Sequence, residues 1–355
     1  MTIKILNCLY TGKNPYQSLI YASLDQNMEC YGGKAKSLTG LKNSDYDILH
    51  IHWDDRLFTP PSGTRDYMET LFDEVTQFQQ RGGKLLWTIH NRSPHRGFDE
   101  ARFTNMRKRL AIISDAIHVH AEHAKDYAVT ELNADPKKVF VLPHPSYHGE
   151  YIAEGEERGA ETFDDRRFLS FGMMRGNKGG KSLAFVFEKL HRQGFNCRLD
   201  VCGSFPHGAK SLKRRLDKNP LVHVRDEFIP DQDVAGIFKN SQIFIAPFDN
   251  MFTSGSIMLA MTFGLPVIGP DTREMRETLP SEAHSLLYDT KNPRGFIRSL
   301  KRAISLPDDA LSDIQKACYD FALARHPSLI SGQLTSQIRQ LTEAKPSLER
   351  KTNRL

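Results

Sequence analysis

Short β-rich runs alternate with helical stretches along almost the whole chain, and that alternation narrows the folds open to it. Residues 4–9, 48–52, 84–90, 116–120 and 139–142 are the strand candidates of the first half. Residues 167–172, 198–202, 222–224, 243–247 and 266–268 are those of the second. Between them lie helical patterns, for example at 66–80, 183–193, 231–239 and 293–305. Strand, helix and strand in repeated succession predict parallel sheets covered on both faces, the doubly wound α/β class.

At 355 residues the chain exceeds what one ordinary core accommodates, so two domains are expected. Residues 149–165, GEYIAEGEERGAETFDD, are acidic and poor in periodic apolar positions, which marks a linker. The expected division is a Rossmann-like domain over 1–150, a linker over 151–166 and a second Rossmann-like domain over 167–330. A C-terminal helix and basic tail then occupy 331–355. Two such halves would face each other across a cleft, with ligands at the carboxyl ends of the strands.

Hydrophobic content of 39% and charged content of 26% describe a soluble globular protein. The longest apolar stretch, 257–268, is broken by Thr262, Gly264 and Pro266, and it falls short of the roughly 20 residues a bilayer span needs. The N-terminus runs straight into a strand without a signal-peptide layout, so a cytoplasmic location is expected. Cys8, Cys30, Cys197, Cys202 and Cys318 form no C-x-x-C and no repeated spacing, which points to buried free thiols.

The net charge of +5 is mild but clustered. Arg102, Arg107, Lys108 and Arg109 stand beside Phe103, Met106, Leu110 and Ile113 at helical spacing. Charge adjoining apolar side chains suits either a solvated helix face or an anionic inner-membrane surface. Nucleic acid is not expected as a partner, since no recognition motif accompanies the charge.

Two stretches of the second half carry anion-binding chemistry. In RFLSFGMMRGNKGGKSL, a strand ends at Gly172, and a loop with Arg175 and Lys178 leads through glycines into a helix. Glycines at such a turn permit close backbone approach, and a helix N-terminus favours an anion. Arg175 and Lys178 would add charge-assisted bonds to diphosphate oxygens. In APFDNMFTSGSIMLAMTFGLPVIGP, Thr253, Ser254, Gly255 and Ser256 precede an apolar helix and form a second cradle of backbone N–H groups. A basic surface loop and an ordinary N-cap are the simpler readings of each stretch alone. Both cradles sit at the carboxyl ends of strands, which favours the ligand reading.

Three strand ends of the first half carry polar residues. The first has His52, Trp53, Asp54 and Asp55; the second has His90, Asn91, Pro94 and His95; the third has His118 and His120 on one face with Glu122 beyond. Together they suggest a polar cleft wall. Because the histidines lie on separate strands without a compact ligand pattern, no metal is assigned. Asp231-x-Asp233 resembles a cation-holding motif, but it follows a proline and opens a helix, where acidic residues favour the N-terminus. Neither G-x-G-x-x-G nor a P-loop follows the first strand, so no NAD(P) or ATP cofactor is expected.

The collinear succession of NPYQSLIYASL (14–24), HIHW (50–53), WTIHNRSPH (87–95), VLPHPSYHGEY (141–151), FGMMRGNKG (171–179) and TSGSIMLAMTFGLPVIGP (253–270) resembles the bacterial GT-B glycosyltransferases of exopolysaccharide and lipopolysaccharide assembly. That resemblance implies a second domain binding a nucleotide-sugar donor and a first binding a glycan or lipid-linked saccharide acceptor. It assigns the donor diphosphate to Arg175 and Lys178, and the cradle at Thr253, Ser254, Gly255 and Ser256 is expected to bind it with them. Asn14, Trp53, Asn91, His95, His118 and His120 become the acceptor wall. His90 is the catalytic candidate by motif position, and Asp54 and Asp55 are bases by their chemistry. The common retaining members carry two glutamates where this chain has Met251 and Leu259, so their donor contacts do not transfer. The Ser-Gly-Ser version is similar to exopolysaccharide mannosyltransferases, which makes GDP-mannose the expected donor, with UDP-sugars as the alternative. The other readings are a non-catalytic glycan-binding subunit and a nucleotide-sugar epimerase. The epimerase would need paired carboxylates around the sugar, and none is evident near 249–260.

Overall fold

The structure, a computed structural model, describes residues 2–12, 14–57, 67–93, 100–153, 155, 163–174, 179–248 and 251–343. The chain divides into two compact units, Met1–Pro143 with Ser328–Leu355, and His144–Pro327.

In the first unit, six strands of the described residues form one parallel sheet: β1 (Ile3–Cys8), β2 (Met28–Gly33), β3 (Ile48–Ile51), β4 (Lys84–Thr88), β5 (Ala116–Val119) and β6 (Val139–Val141). Their order is β2-β1-β3-β4-β5-β6. Residues of β3 are buried throughout and those of β4 nearly so, as expected for central strands covered on both faces. The edge strand β2 reads MECYGG and exposes much of its length, so it lacks the apolar run that marks the others. Helices α1 (Tyr16–Ile20), α2 (Tyr67–Gln80), α3 (Glu100–Ile113) and α4 (Glu122–Thr130) connect the strands. In α3, Phe103, Met106 and Leu110 turn inward, and Arg107 goes with them. The core thus takes most of the helix's apolar side, although Ile112 stays exposed.

The second unit contains a parallel sheet of β7 (Arg166–Phe171), β8 (Cys197–Cys202), β9 (Val222–Arg225), β10 (Ile243–Ile245) and β11 (Val267–Ile268), in the order β11-β10-β7-β8-β9. Its helices are α5 (Gly180–Arg192), α6 (Lys210–Asp217), α7 (Asp231–Lys239), α8 (Gly255–Thr262), α9 (Arg273–Thr278), α10 (Gly295–Ile304) and α11 (Asp308–Leu323). Leu183, Phe187 and Leu190, at helical spacing on α5, pack with Phe168, Leu199, Val201 and Ile243 of the sheet. From β7 the chain winds one way to β8 and β9, then returns to the other side of β7 for β10 and β11. Loops leaving β7 and β10 therefore diverge, and in open α/β sheets the crevice at such a switch point holds the ligand.

The last described helix, α12 (Pro327–Glu343), builds the first unit's core. Ile330, Leu334 and Ile338, four residues apart, share one face and pack with Ile5, Tyr16, Ile20, Ile48 and Leu86. Ser23 N–H adds a bond to Ser331 Oγ at 2.9 Å. The last residues of the expected first domain, from His144 onward, belong to the second unit. His148 lies edge-on to Tyr319, and Ser146 N–H donates to the Arg325 carbonyl at 2.8 Å, which ties this stretch to the second unit.

Candidate functional site

The switch point of the second unit is lined by backbone. After β7, Gly172 adopts a φ of 99°, and Gly203 after β8 adopts 139°. A Cβ on Gly203 would sit 2.3 Å from the Gly172 carbonyl oxygen, so the two loops approach as only glycine permits. Gly179 caps α5 with a φ of 61°, and a Cβ there would lie 2.0 Å from the Pro247 carbonyl oxygen. The N-terminus of α5 is thus pressed against the exit of β10, the strand that leads into α8.

At the start of α8, Ser254 is the N-cap and its Oγ accepts from Ile257 N–H at 3.3 Å. Met258 N–H makes the first helical bond, to the Ser254 carbonyl at 3.2 Å. The N–H groups of Gly255 and Ser256 enter no hydrogen bond among the described residues, which leaves two donors at the positive end of the helix dipole. Ser254 and Ser256 hydroxyls are 3.1 Å apart, and Thr253 stands beside them, half-buried. Thr253, Ser254, Gly255 and Ser256 are therefore gathered at one helix end, next to the strand whose exit touches α5. Arg175 and Lys178 lie outside the described residues, as does His95.

In the first unit the histidines form a buried layer. His118 Nε2 lies 2.8 Å from the Leu142 carbonyl oxygen, Thr88 Oγ1 lies 3.0 Å from His118 Nδ1, and His50 Nε2 lies 2.7 Å from Thr88 Oγ1. Tyr21 Oη completes the chain at His50 Nδ1. A carbonyl only accepts, so His118 Nε2–H donates to Leu142, and one consistent direction then runs Tyr21 to His50 to Thr88 to His118. Burial, then the neighbouring histidines, hold His50 well below the usual imidazole range, and it is neutral. His118 has both ring nitrogens engaged in the core, which corrects its expected place on the acceptor wall. His120 Nδ1 lies 3.1 Å from the same Leu142 carbonyl.

His52 Nδ1 lies 3.0 Å from His90 Nε2, and burial holds His52 well below its ordinary pKa. One nitrogen of His90 is thus engaged with His52. Trp53, in a left-handed conformation at φ 46°, stacks on His90 with 4.5 Å between ring centroids. The edge of Tyr16 meets His52, His90 and His120, so this aromatic packs three of the histidines at once.

Asp54 has a different role from the expected base. Arg107 Nε and Nη2 donate to its two oxygens at 2.7 and 2.9 Å, and Arg107 Nη1 donates to the Asn91 carbonyl at 2.6 Å. The pair is internal to the fold, and the carboxylate has no free oxygen to accept an acceptor proton. Arg107 gave no sign of this within its basic run; the signal is spatial. Asp55 is half-buried, Asn91 is held by its carbonyl, and Asn14 Oδ1 accepts from Tyr16 N–H at 3.0 Å to start α1. The Asp231-x-Asp233 pair opens α7, where Tyr151 O–H donates to Asp231 at 3.2 Å and Arg225 pairs with Asp233 at 2.6 Å.

Residues 165–305 match the family model described as Glycosyl transferases group 1. That span opens at β7 and includes the N-termini of both α5 and α8. The second unit carries a glycosyltransferase group 1 domain. With this glycosyltransferase domain the chain is a transferase. GDP-mannose:glycolipid 4-beta-D-mannosyltransferase of Xanthomonas campestris pv. campestris is 22% identical over 261 residues, covering 72% of this chain and 70% of that one. Among solved structures, sucrose-phosphate synthase from Thermosynechococcus elongatus superposes with a TM-score of 0.72 at 15% identity, over 97% of this chain and 100% of that one. Anabaena HepE in complex with UDP and glucose gives 0.67 at 12%, over 95% and 100%. Both are GT-B glycosyltransferases, and the likeness shows that the chain has their fold of two parallel-sheet α/β units.

Proposed function

We propose that the chain transfers a hexosyl group, mannose first among those to test, from a nucleotide-sugar to a lipid-linked saccharide, without a metal ion, in surface-polysaccharide assembly. The observation that carries this reading is the paired helix N-termini at the switch point of β7 and β10 in the glycosyltransferase domain. The mannosyltransferase relative is named for GDP-mannose and a glycolipid, and HepE was solved with UDP and glucose, so GDP and UDP are the two nucleotides to compare.

Transfer breaks the bond between sugar C1 and the diphosphate, and negative charge grows on the leaving phosphate. The N–H groups of Gly255 and Ser256 are oriented to receive that charge without reorganisation. Arg175 and Lys178 are proposed as its cationic ligands on their position in the sequence. The first unit takes the acceptor. His90 and Asp55 are the groups proposed to take the acceptor's hydroxyl proton. Among the described residues no helix is long and apolar enough to cross a membrane, so a lipid-linked acceptor is proposed to be met at the inner membrane surface from the cytoplasm.

Calorimetric titration with GDP and UDP in excess EDTA tests the reading. Saturable binding of one nucleotide is expected; failure to bind either rules it out.

A further inference from the structure

Tyr147 lies in the folded stretch before β7 and runs along α8. Its N–H donates to Thr262 Oγ1 at 3.1 Å, near the end of that helix. At the other end its hydroxyl reaches Gly255, the first helical residue: a Cβ placed there would stand 2.7 Å from Tyr147 Oη. The side chain is 6% exposed, and its ring packs against Tyr151 with 5.7 Å between centroids. The hydroxyl nevertheless enters no hydrogen bond among the described residues.

The ring is buried, but the hydroxyl oxygen is not among the fully buried polar atoms that lack a partner, so it stays reachable by a ligand. A reachable hydroxyl donor beside a helix end with two unpaired N–H groups suits a ligand that accepts from all of them. Burial raises the Tyr147 pKa above the ordinary phenol value, which keeps the hydroxyl protonated as a donor. His144 Nε2 would lie 3.4 Å from the same Cβ. His144 Nδ1–H donates to the Pro145 carbonyl at 2.7 Å, and burial lowers this imidazole to about 4, so the ring adds no positive charge.

We propose that Tyr147 is a phosphate ligand of the glycosyltransferase domain, its hydroxyl joining the Gly255 and Ser256 N–H groups in binding a nucleoside diphosphate. The proposal rests on the nucleotide-sugar reading above. It also accounts for glycine at 255, since any side chain there would meet the hydroxyl and cover the helix end. The three donors lie at one helix end, and removal of one of them weakens binding without disturbing the fold.

The test compares wild type with Tyr147→Phe, which keeps the ring. GDP and UDP are titrated directly, and guanosine, uridine and a short-chain prenyl diphosphate enter by competition. The expected result is about a 10-fold loss of affinity for the bound nucleoside diphosphate, the size of one hydrogen bond to a charged acceptor. Nucleoside affinity changes by less than about two-fold, because it lacks the phosphate. Without nucleotide, the melting temperature of the variant does not fall. Unchanged nucleoside diphosphate affinity beside a binding wild type overturns the Tyr147 assignment alone. So does a loss confined to the prenyl diphosphate, or a lowered melting temperature with equal losses for nucleoside and diphosphate. A wild type that binds neither GDP nor UDP overturns the nucleotide-sugar reading and the assignment with it.

Discussion

Both oxygens of Asp54 accept from the guanidinium of Arg107, and each side chain is 1% exposed. The same guanidinium lies over Phe103, 4.4 Å from its ring centroid, and binds the carbonyls of Asn91 and Arg92. An ion pair this deep persists because each charge is compensated; removing one partner strands the other. Arg107→Met should therefore lower the unfolding free energy of the first unit by about 3–5 kcal/mol. Urea unfolding followed by Trp53 and Trp87 fluorescence measures it. A wild-type midpoint would mean that the pair contributes little, and would return Asp54 to the list of bases.

Stability should fall in mild acid. His50 and His52 have folded pKa values held well below the ordinary imidazole value of 6.5, first by burial. Below about pH 6.5 the unfolded chain takes up protons that the folded chain refuses, so the stability present above that pH is lost as pH falls toward the folded values. Each histidine contributes up to about 1.4 kcal/mol per pH unit in that window. His144, lowered to about 4, acts in the same direction in the second unit. Urea midpoints should be flat between pH 7 and 8 and fall steadily below about 6.5; a flat profile down to about pH 5 would contradict the neutral histidine layer.

Leu334 is fully buried in the first unit's core although it lies near the C-terminal end of the chain. Leu334→Ala should cost about 2–5 kcal/mol, the range for a core leucine whose cavity cannot fully collapse. The loss should appear in the unfolding transition of the first unit. An effect confined to the second unit would show that α12 does not belong where its contacts put it.

Gly179 and Gly194 both have positive φ, 61° and 69°, but only Gly179 faces a backbone atom across the space a Cβ would fill. Gly194→Ala should cost about 1–2 kcal/mol and leave nucleotide affinity alone. Gly179→Ala adds a collision with Pro247 and should displace the α5 N-terminus, with about a 10-fold weaker grip on GDP or UDP. Equal affinities for the two variants would separate the α5 end from the ligand.

The strands and most helices were legible because apolar runs and helical periodicity are local properties. The strand β2 was not, since MECYGG at a sheet edge buries too little to show a pattern. The helix cap at Ser254 was readable from three adjacent residues. The partners of Gly255 and Arg107 were not, since Tyr147 and Asp54 reach them only through the fold. His118 illustrates the same limit. Its spacing from His120, just past the end of β5, lets both rings reach the Leu142 carbonyl, but the bonds to Thr88 and Leu142 that bury it depend on neighbouring strands.

The most direct measurement is transfer itself: purified protein incubated in EDTA with radiolabelled GDP-mannose, UDP-glucose or UDP-galactose and a lipid-linked saccharide acceptor from bacterial membranes, with extracted glycolipid counted. The account predicts label in the lipid fraction from one donor, GDP-mannose first, with release of the nucleoside diphosphate. No transfer from any donor, with or without added divalent metal, by protein that is folded would contradict it.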